Sequence, residues 1–228
     1  VFELLAGKIS DAQMTQMNDK VDRLKIPAYT VAKNFLIKTS LIDGTVKSAQ
    51  ESSTFLEFIF TKKAYLKKIL IEHLVLSLGA LFFALIVSIP LGIFLTRHQS
   101  LAKYVFPIIN TIQTIPSLAL LGFLIPLMGI GTAPAIVALF LYSLLPLVRN
   151  TYTGILSIDQ NYIEASKGVG LTNFQILYKV EIPLALPIII TGIRTAAVIV
   201  IGTATLAALI GAGGFGDPIF RGISTVNS

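Results

Sequence analysis

Residues that could carry out chemistry are few in this chain, which has two histidines, no cysteine and 13% charged residues. Glu72 and His73 are adjacent, but one carboxylate and one imidazole do not make a zinc site, which takes at least three protein ligands. The absence of cysteine removes thiolate ligands, and no spacing suggests a nucleophile beside its base. We therefore expect no metal, no cofactor and no catalytic residue in this chain, so that it is not an enzyme.

The glycine-rich segment at residues 211–216 (GAGGFG) invites comparison with a phosphate-binding loop. It lacks the Gly-Lys-Ser/Thr ending that contacts phosphate and Mg²⁺, and it follows a long apolar run. The segment is therefore predicted to be a close-packed backbone turn.

The elements that must position these residues are apolar. The chain is 54% hydrophobic, and its charged fraction is about half the 25% that is usual in soluble domains. Four runs approach or exceed the ~20 residues that a helix needs to cross a bilayer; they cover residues 72–96, 104–127, 133–149 and 184–209. The first is too long and too internal for a signal peptide. We predict an all-α membrane protein with about four spans.

The basic residues lie at the ends of the apolar runs and produce a net charge of +6. This distribution is typical of a membrane protein and not of a basic nucleic-acid-binding face, so we expect lipid and no nucleic acid as a partner. The positive-inside rule places the loops bounded by Arg97 and Lys103, and by Arg149 and Lys179, in the cytoplasm. Four lysines between residues 62 and 68 oppose this orientation unless they belong to a translocated domain.

The first 43 residues are soluble in character. Ser10 and Gln13 form a capping-box pattern, and Val31, Phe35 and Leu36 have helical spacing. Two helices bury too little core to fold alone. We interpret residues 1–43 as the tail of an extracytoplasmic domain, 44–68 as a linker and juxtamembrane segment, and 69–228 as the transmembrane domain with a cytoplasmic loop at 157–183.

That cytoplasmic loop has a regular polar pattern. Asp159 is predicted to cap a short helix that stops near Gly170. Thr172 and Gln175 form a second capping box, which opens a helix that Pro183 is expected to end. The loop is either an amphipathic segment on the membrane surface or a docking element for a soluble partner. The apolar side chains that it would display are Ile163, Val169, Leu171 and Phe174.

The same loop resembles the permease signature of ATP-binding-cassette (ABC) importers, in which EAA, three residues, glycine and nine residues precede I-x-L-P. The matching residues are Glu164, Ala165, Ser166, Gly170, Val180, Ile182 and Pro183. Serine replaces the second alanine, and the aliphatic pair is valine and isoleucine. The resemblance implies that the loop is a coupling helix, seated in a cleft of a cytoplasmic ATPase subunit dimer.

A narrower resemblance covers most of the chain. Residues 112–155 and 192–223 are similar to permeases of the glycine betaine, carnitine and choline importers, and residues 4–22 and 31–36 to the end of that family's substrate-binding domain. This implies a type I importer fold in a bacterial plasma membrane, with the binding domain outside. It also implies a further helix beyond the region matching Ser228, so we interpret the chain as a fragment.

The partners follow from the same resemblance. They are an ABC ATPase dimer, a second permease copy in a homo- or heterodimer, the substrate-binding domain and a small quaternary amine. Because the chain has no Walker-type loop, ATP and Mg²⁺ are expected to bind the ATPase. Alternating access would then move the solute.

Polar residues inside the spans are candidates for the translocation path, because such side chains face a bundle interior and not lipid. They are Asn110, Gln113, Thr114, Pro116, Ser117 and Arg194. Pro116 is expected to kink its span and free a backbone carbonyl that a nearby Ser or Thr satisfies. The kink serves either the packing of the helices or the lining of the translocation path. Arg194 either lies at mid-bilayer, at a cost of at least ~2.5 kcal/mol, or extends its side chain to the interface.

Other functions remain open on the sequence alone. The chain could be a permease for a different solute, such as ergothioneine or an amino acid. It could also be a membrane anchor that displays a binding domain without transporting anything, although an anchor has no reason to keep the loop signature. The lack of catalytic residues argues against an intramembrane enzyme.

Overall fold

The structure is a computed structural model that describes residues 9–24, 26, 28–42 and 55–226. Within these ranges every regular element is a helix, as predicted. Of the segment 44–68, expected to be a linker and juxtamembrane segment, residues 44–54 lie outside the described residues. The chain divides into two compact units, Val1–Lys62 with Phe220–Ser228, and Lys63–Ile219.

Helices α1 (Asp11–Asp22) and α2 (Ala28–Lys38) belong to the first unit. The predicted capping box is present: the Ser10 amide donates to Gln13 Oε1 at 3.0 Å, and the Gln13 amide donates to Ser10 Oγ at 3.4 Å. The two helices pack through an apolar groove in which Val31 is buried.

The helices that follow along the chain are α3 (Phe55–Arg97), α4 (Gln99–Thr114), α5 (Ser117–Met128), α6 (Thr132–Leu156), α7 (Gln160–Gly168), α8 (Asn173–Ile176), α9 (Ile182–Ala204) and α10 (Gly216–Val226). A π-helical turn, Leu177–Glu181, joins α8 to α9, and a 3₁₀ helix, Thr205–Ile210, extends α9. In the described part of the chain, three helical runs are long and apolar enough to cross a membrane: Ile59–Arg97, Thr132–Leu156 and Asn173–Ile210. The bent pair α4–α5 is a fourth if it counts as one span.

The second predicted span breaks more sharply than the expected kink. Helices α4 and α5 meet at 99°, because Ile115 precedes a proline and adopts an extended conformation (φ −65°, ψ 128°) that the proline ring favours. The Ile115 carbonyl, which lies between the two helices, accepts a hydrogen bond from the Tyr142 hydroxyl on α6. The Ile112 carbonyl, four residues before Pro116, accepts from the Ile115 amide at 3.3 Å. The Thr114 hydroxyl donates to the adjacent Thr111 carbonyl at 2.8 Å, so a threonine does help to satisfy the carbonyls at this break.

Pro183 does not end a helix, contrary to the prediction. It lies in the first turn of α9, inside the continuous run Asn173–Ile210. The preceding π-helical turn bonds the Ile182 amide to the Leu177 carbonyl, five residues back. A proline near a helix start gives up little hydrogen bonding, and the wider turn before it accommodates the ring.

Helix α6 is the centre of the second unit and is buried along most of its length. Two glycines let neighbouring helices approach it closely. A Cβ at Gly92 of α3 would lie 2.7 Å from Thr151 Cβ, and a Cβ at Gly192 of α9 would lie 2.6 Å from Asn150 Cβ. Such small-residue contacts are typical of helix packing in membranes. They fix α3 and α9 against α6.

Candidate coupling loop and translocation path

The loop between α6 and α8 is built by local capping, as predicted. The Asp159 carboxylate accepts from the Asn161 amide at 2.9 Å and starts α7. At the other end of α7 the amides of Gly170 and Leu171 bond to the carbonyls of Lys167 and Ser166, at 2.9 and 3.1 Å. This is a Schellman motif, and Gly170 takes the left-handed conformation it needs (φ 81°).

A second cap starts α8 two residues later. The Thr172 amide donates to Gln175 Oε1 at 2.8 Å, and the Gln175 amide donates to Thr172 Oγ1 at 3.3 Å. The predicted capping box is confirmed. The two short helices are thus held in a fixed turn by their own backbone and side-chain hydrogen bonds.

The signature residues divide into an exposed and an inward-facing group. Glu164, Ala165, Gly170 and Pro183 are exposed, whereas Ser166 is buried and Val180 and Ile182 are half-buried. The Ser166 hydroxyl donates to the Tyr162 carbonyl at 2.6 Å, so serine in place of alanine leaves no unsatisfied group.

Fewer of the predicted apolar side chains are exposed on the loop than expected. Of the four predicted side chains, Val169 and Phe174 are exposed, at 78% and 76%, while Ile163 and Leu171 are half-buried. The exposed surface of the loop therefore includes Val169, Phe174 and the rings of Tyr162 and Tyr178 beside the Glu164 carboxylate.

One ion pair at this loop was missed by the sequence analysis. The Arg97 guanidinium, at the end of α3, donates to the carboxylate of Glu181, the last residue of the π-helical turn. Glu181 is only 4% exposed. The sequence does contain a signal: Glu181 is the only acidic residue between positions 165 and 216, and a carboxylate at the start of an apolar span needs a partner.

The path candidates lie in two places. Five of them surround the α4–α5 break: Asn110, Gln113 and Ser117 are half-buried, and Thr114 and Pro116 are exposed. Arg194 lies apart from them along the chain, near the middle of α9, where it is exposed.

Two threonines close to Arg194 on α9 were not among the predicted path residues. Thr191 and Thr195 are exposed on the same stretch of α9. Their hydroxyls donate to the carbonyls of Pro187 and Thr191 at 3.0 and 2.9 Å.

The middle of α3 contacts the glycine-rich segment, which is a close-packed turn, as predicted. The Gly214 amide donates to Glu72 Oε2 at 3.1 Å, and the His73 and Phe215 rings are 5.3 Å apart. The His73 side chain is buried. Its Nε2 lies 3.1 Å from the Ile201 carbonyl, which is free because the Thr205 amide bonds to Gly202 where the 3₁₀ helix begins.

Residues 9–24, 26, 28–42 and 55–226 contain no group of three or more His, Cys, Asp and Glu side chains that could hold a metal ion.

The chain is similar to known membrane transport proteins. Residues 88–228 match the family described as the inner membrane component of binding-protein-dependent transport systems. The glycine betaine/carnitine/choline transport system permease protein OpuCB of Bacillus subtilis is 54% identical over 67% of this chain and 70% of its own length. The carnitine transport permease protein OpuCB of Listeria monocytogenes is 50% identical over the same shares.

A solved structure shares the fold. The MetNI methionine ABC transporter, in an inward-facing conformation, aligns with a TM-score of 0.64 and 27% identity, over 71% of this chain and 81% of the matched one. The transmembrane domain is therefore that of a type I ABC importer.

Proposed function

Because the chain belongs to the family of inner membrane components of binding-protein-dependent transport systems, we propose that it is the permease subunit of an ATP-driven importer for quaternary ammonium solutes. It moves glycine betaine, choline, carnitine or a related trimethylammonium compound across a bacterial plasma membrane. The observation that carries this proposal is the 50–54% identity to permeases named for these solutes.

In this proposal the loop at 157–183 is the cytoplasmic coupling element. Its two short helices are preformed by caps, and they expose Glu164, Val169 and Phe174. A rigid loop with exposed apolar side chains can dock in a cleft of a soluble partner, because little conformational entropy is lost on docking. ATP and Mg²⁺ bind that partner, an ATPase dimer, and hydrolysis occurs there.

A movement of the loop reaches the membrane-spanning helix α9 because the chain is continuously helical between them. The loop leads through α8 and the π-helical turn directly into α9, so a displacement of the loop moves α9 without an intervening flexible segment. This movement switches the permease between inward- and outward-facing states.

The solute passes between two permease copies. Asn110, Gln113, Thr114, Pro116, Ser117 and Arg194 contribute to its path. The N-terminal unit lies outside the cell with the substrate-binding domain.

An amino acid is the second candidate solute, since the structural neighbour carries methionine in its name. Its identity to this chain is 27%, about half that of the quaternary-amine permeases. Methionine is therefore the comparison compound in the experiment and not the proposed cargo.

The test is uptake and ATPase activity of the full-length protein, reconstituted in liposomes with its ATPase and binding domain. Glycine betaine, choline, carnitine, ergothioneine and methionine are supplied one at a time. We expect one trimethylammonium compound to stimulate both activities. Stimulation by methionine alone would replace the proposed solute class, and failure to bind an ATPase would overturn the permease assignment.

A further inference from the structure

We propose that the Arg97–Glu181 ion pair is a fixed joint that makes α3 move together with the coupling loop and α9. This inference rests on the proposed coupling function and assigns two positioning residues to it. Helix α9 follows the loop by covalent continuity, but α3 precedes the loop by about 60 residues and needs a non-covalent connection. Apolar packing joins α3 to α9 within the spans, and the ion pair adds a charged connection at the point where α3 ends.

The burial of the pair is asymmetric. Glu181 is 4% exposed, whereas the Arg97 side chain is about half exposed. The carboxylate is therefore the member that depends on its partner, because a buried charge without a counter-charge is strongly unfavourable. Opening the pair in each transport cycle would isolate that charge, so the geometry favours a contact that stays closed while the surrounding helices move.

The space beside the ion pair shows how α3 and the loop meet. A groove of about 740 Å³ opens beside it, with Ile93 and Phe94 of α3 on one side and Ile163 and Phe174 of the loop on the other. Side chains do not fill this space. Beside this groove, Ile93 of α3 and Ile158 of the loop pack on the cluster of Ile155, Ala185 and Ile189, so the ion pair adds a charged contact to an apolar one.

Helix α3 is also attached near its middle. His73 lies 24 residues before Arg97, about 36 Å along a helix, and its ring nitrogen contacts the Ile201 carbonyl at 3.1 Å. Contacts at these two points join α3 to the run Asn173–Ile210. With both contacts in place, α3 and that run move as one rigid body between the loop and the glycine-rich turn.

The first experiment compares Glu181→Gln, Arg97→Gln and the exchanged pair Arg97→Glu/Glu181→Arg in the reconstituted transporter. The control is Lys68→Gln, which removes an exposed ion pair with Glu72 on the same helix. We expect each single variant to lower the solute moved per ATP hydrolysed by about two- to thirty-fold, the range for mutations along a coupling network. The exchanged pair should recover part of this ratio, and the control should keep it.

The ratio distinguishes positioning from stability. A purely structural pair would lower the amount of assembled transporter but leave the solute moved per ATP unchanged, and this result would overturn the inference. Loss of ATPase binding by the unmodified protein would instead overturn the proposed function.

The second experiment uses the absence of cysteine from the chain. Arg97→Cys/Glu181→Cys is joined by a short bis-maleimide and compared with the same protein carrying two separate maleimide caps. A fixed joint predicts that the cross-linked protein transports with a higher solute-to-ATP ratio than the capped one. Cross-linked protein that still binds its ATPase but no longer transports would show that the pair must open, and would contradict the proposal.

Discussion

Glycine has different roles in the core around α6 and in the loop at 157–183. In the core, Gly192 has helical geometry and leaves room for Asn150 and the Pro146 carbonyl. In the loop, Gly170 has open space around it and is required by its left-handed backbone. The first role determines whether the helices assemble, and the second determines the shape of an exposed surface. Substitutions in the core should therefore act on stability, and those in the loop on function.

The largest effect on stability is expected at the α6–α9 contact. The Cβ of Gly192→Ala would lie 2.6 Å from Asn150 Cβ and 2.8 Å from the Pro146 carbonyl oxygen, so the two helices must separate. Overpacking of this kind costs about 3 kcal/mol at the upper end of its usual range. Thermal unfolding of the detergent-solubilised protein measures this loss.

The matched control is Gly202→Ala on the same helical run, where a Cβ meets no atom within 4 Å. Alanine should there be neutral or stabilise the helix by up to about 1 kcal/mol. Equal melting temperatures for the two variants would contradict close packing at Gly192.

A smaller loss is expected at the α4–α5 break. Tyr142→Phe removes the hydroxyl that donates to the Ile115 carbonyl and leaves that carbonyl unsatisfied in a half-buried position. The cost is about 2 kcal/mol, and it should appear as a lower melting temperature. Tyr152→Phe is the control, because the Tyr152 ring packs edge-on against Phe106 and keeps that contact without its hydroxyl. If both variants melt alike, the break does not depend on Tyr142.

In the loop, Gly170→Val should leave the core intact and abolish uptake. A β-branched residue with φ near 81° costs about 1–2 kcal/mol, which is enough to open the Schellman motif without unfolding the spans. Membrane insertion and melting temperature should stay nearly unchanged while uptake is lost. Gly168→Ala, a position with open space and ordinary helical geometry, is the control. Normal uptake by Gly170→Val would remove the coupling assignment.

The sequence predicts what depends on near neighbours and misses what depends on distant ones. The caps at Ser10, Asp159 and Thr172 and the stop at Gly170 involve residues at most five apart, and they are correct. The ion pair of Arg97 and Glu181 joins residues 84 apart, and the His73 contact joins residues 128 apart; neither was predicted. Pro183 illustrates the same limit, since local rules end a helix there whereas the preceding π-helical turn continues it.

The smallest effect on stability, and a complete test of the loop's role, is expected at Phe174. This ring is 76% exposed, so Phe174→Ser should change the free energy of unfolding by no more than about 0.5 kcal/mol. If the loop docks into an ATPase cleft, the variant should lose affinity for the ATPase, because the apolar contact disappears. Phe174→Leu should keep most of that affinity. Unchanged binding by Phe174→Ser would favour the other interpretation of this segment, an amphipathic loop that lies on the membrane surface.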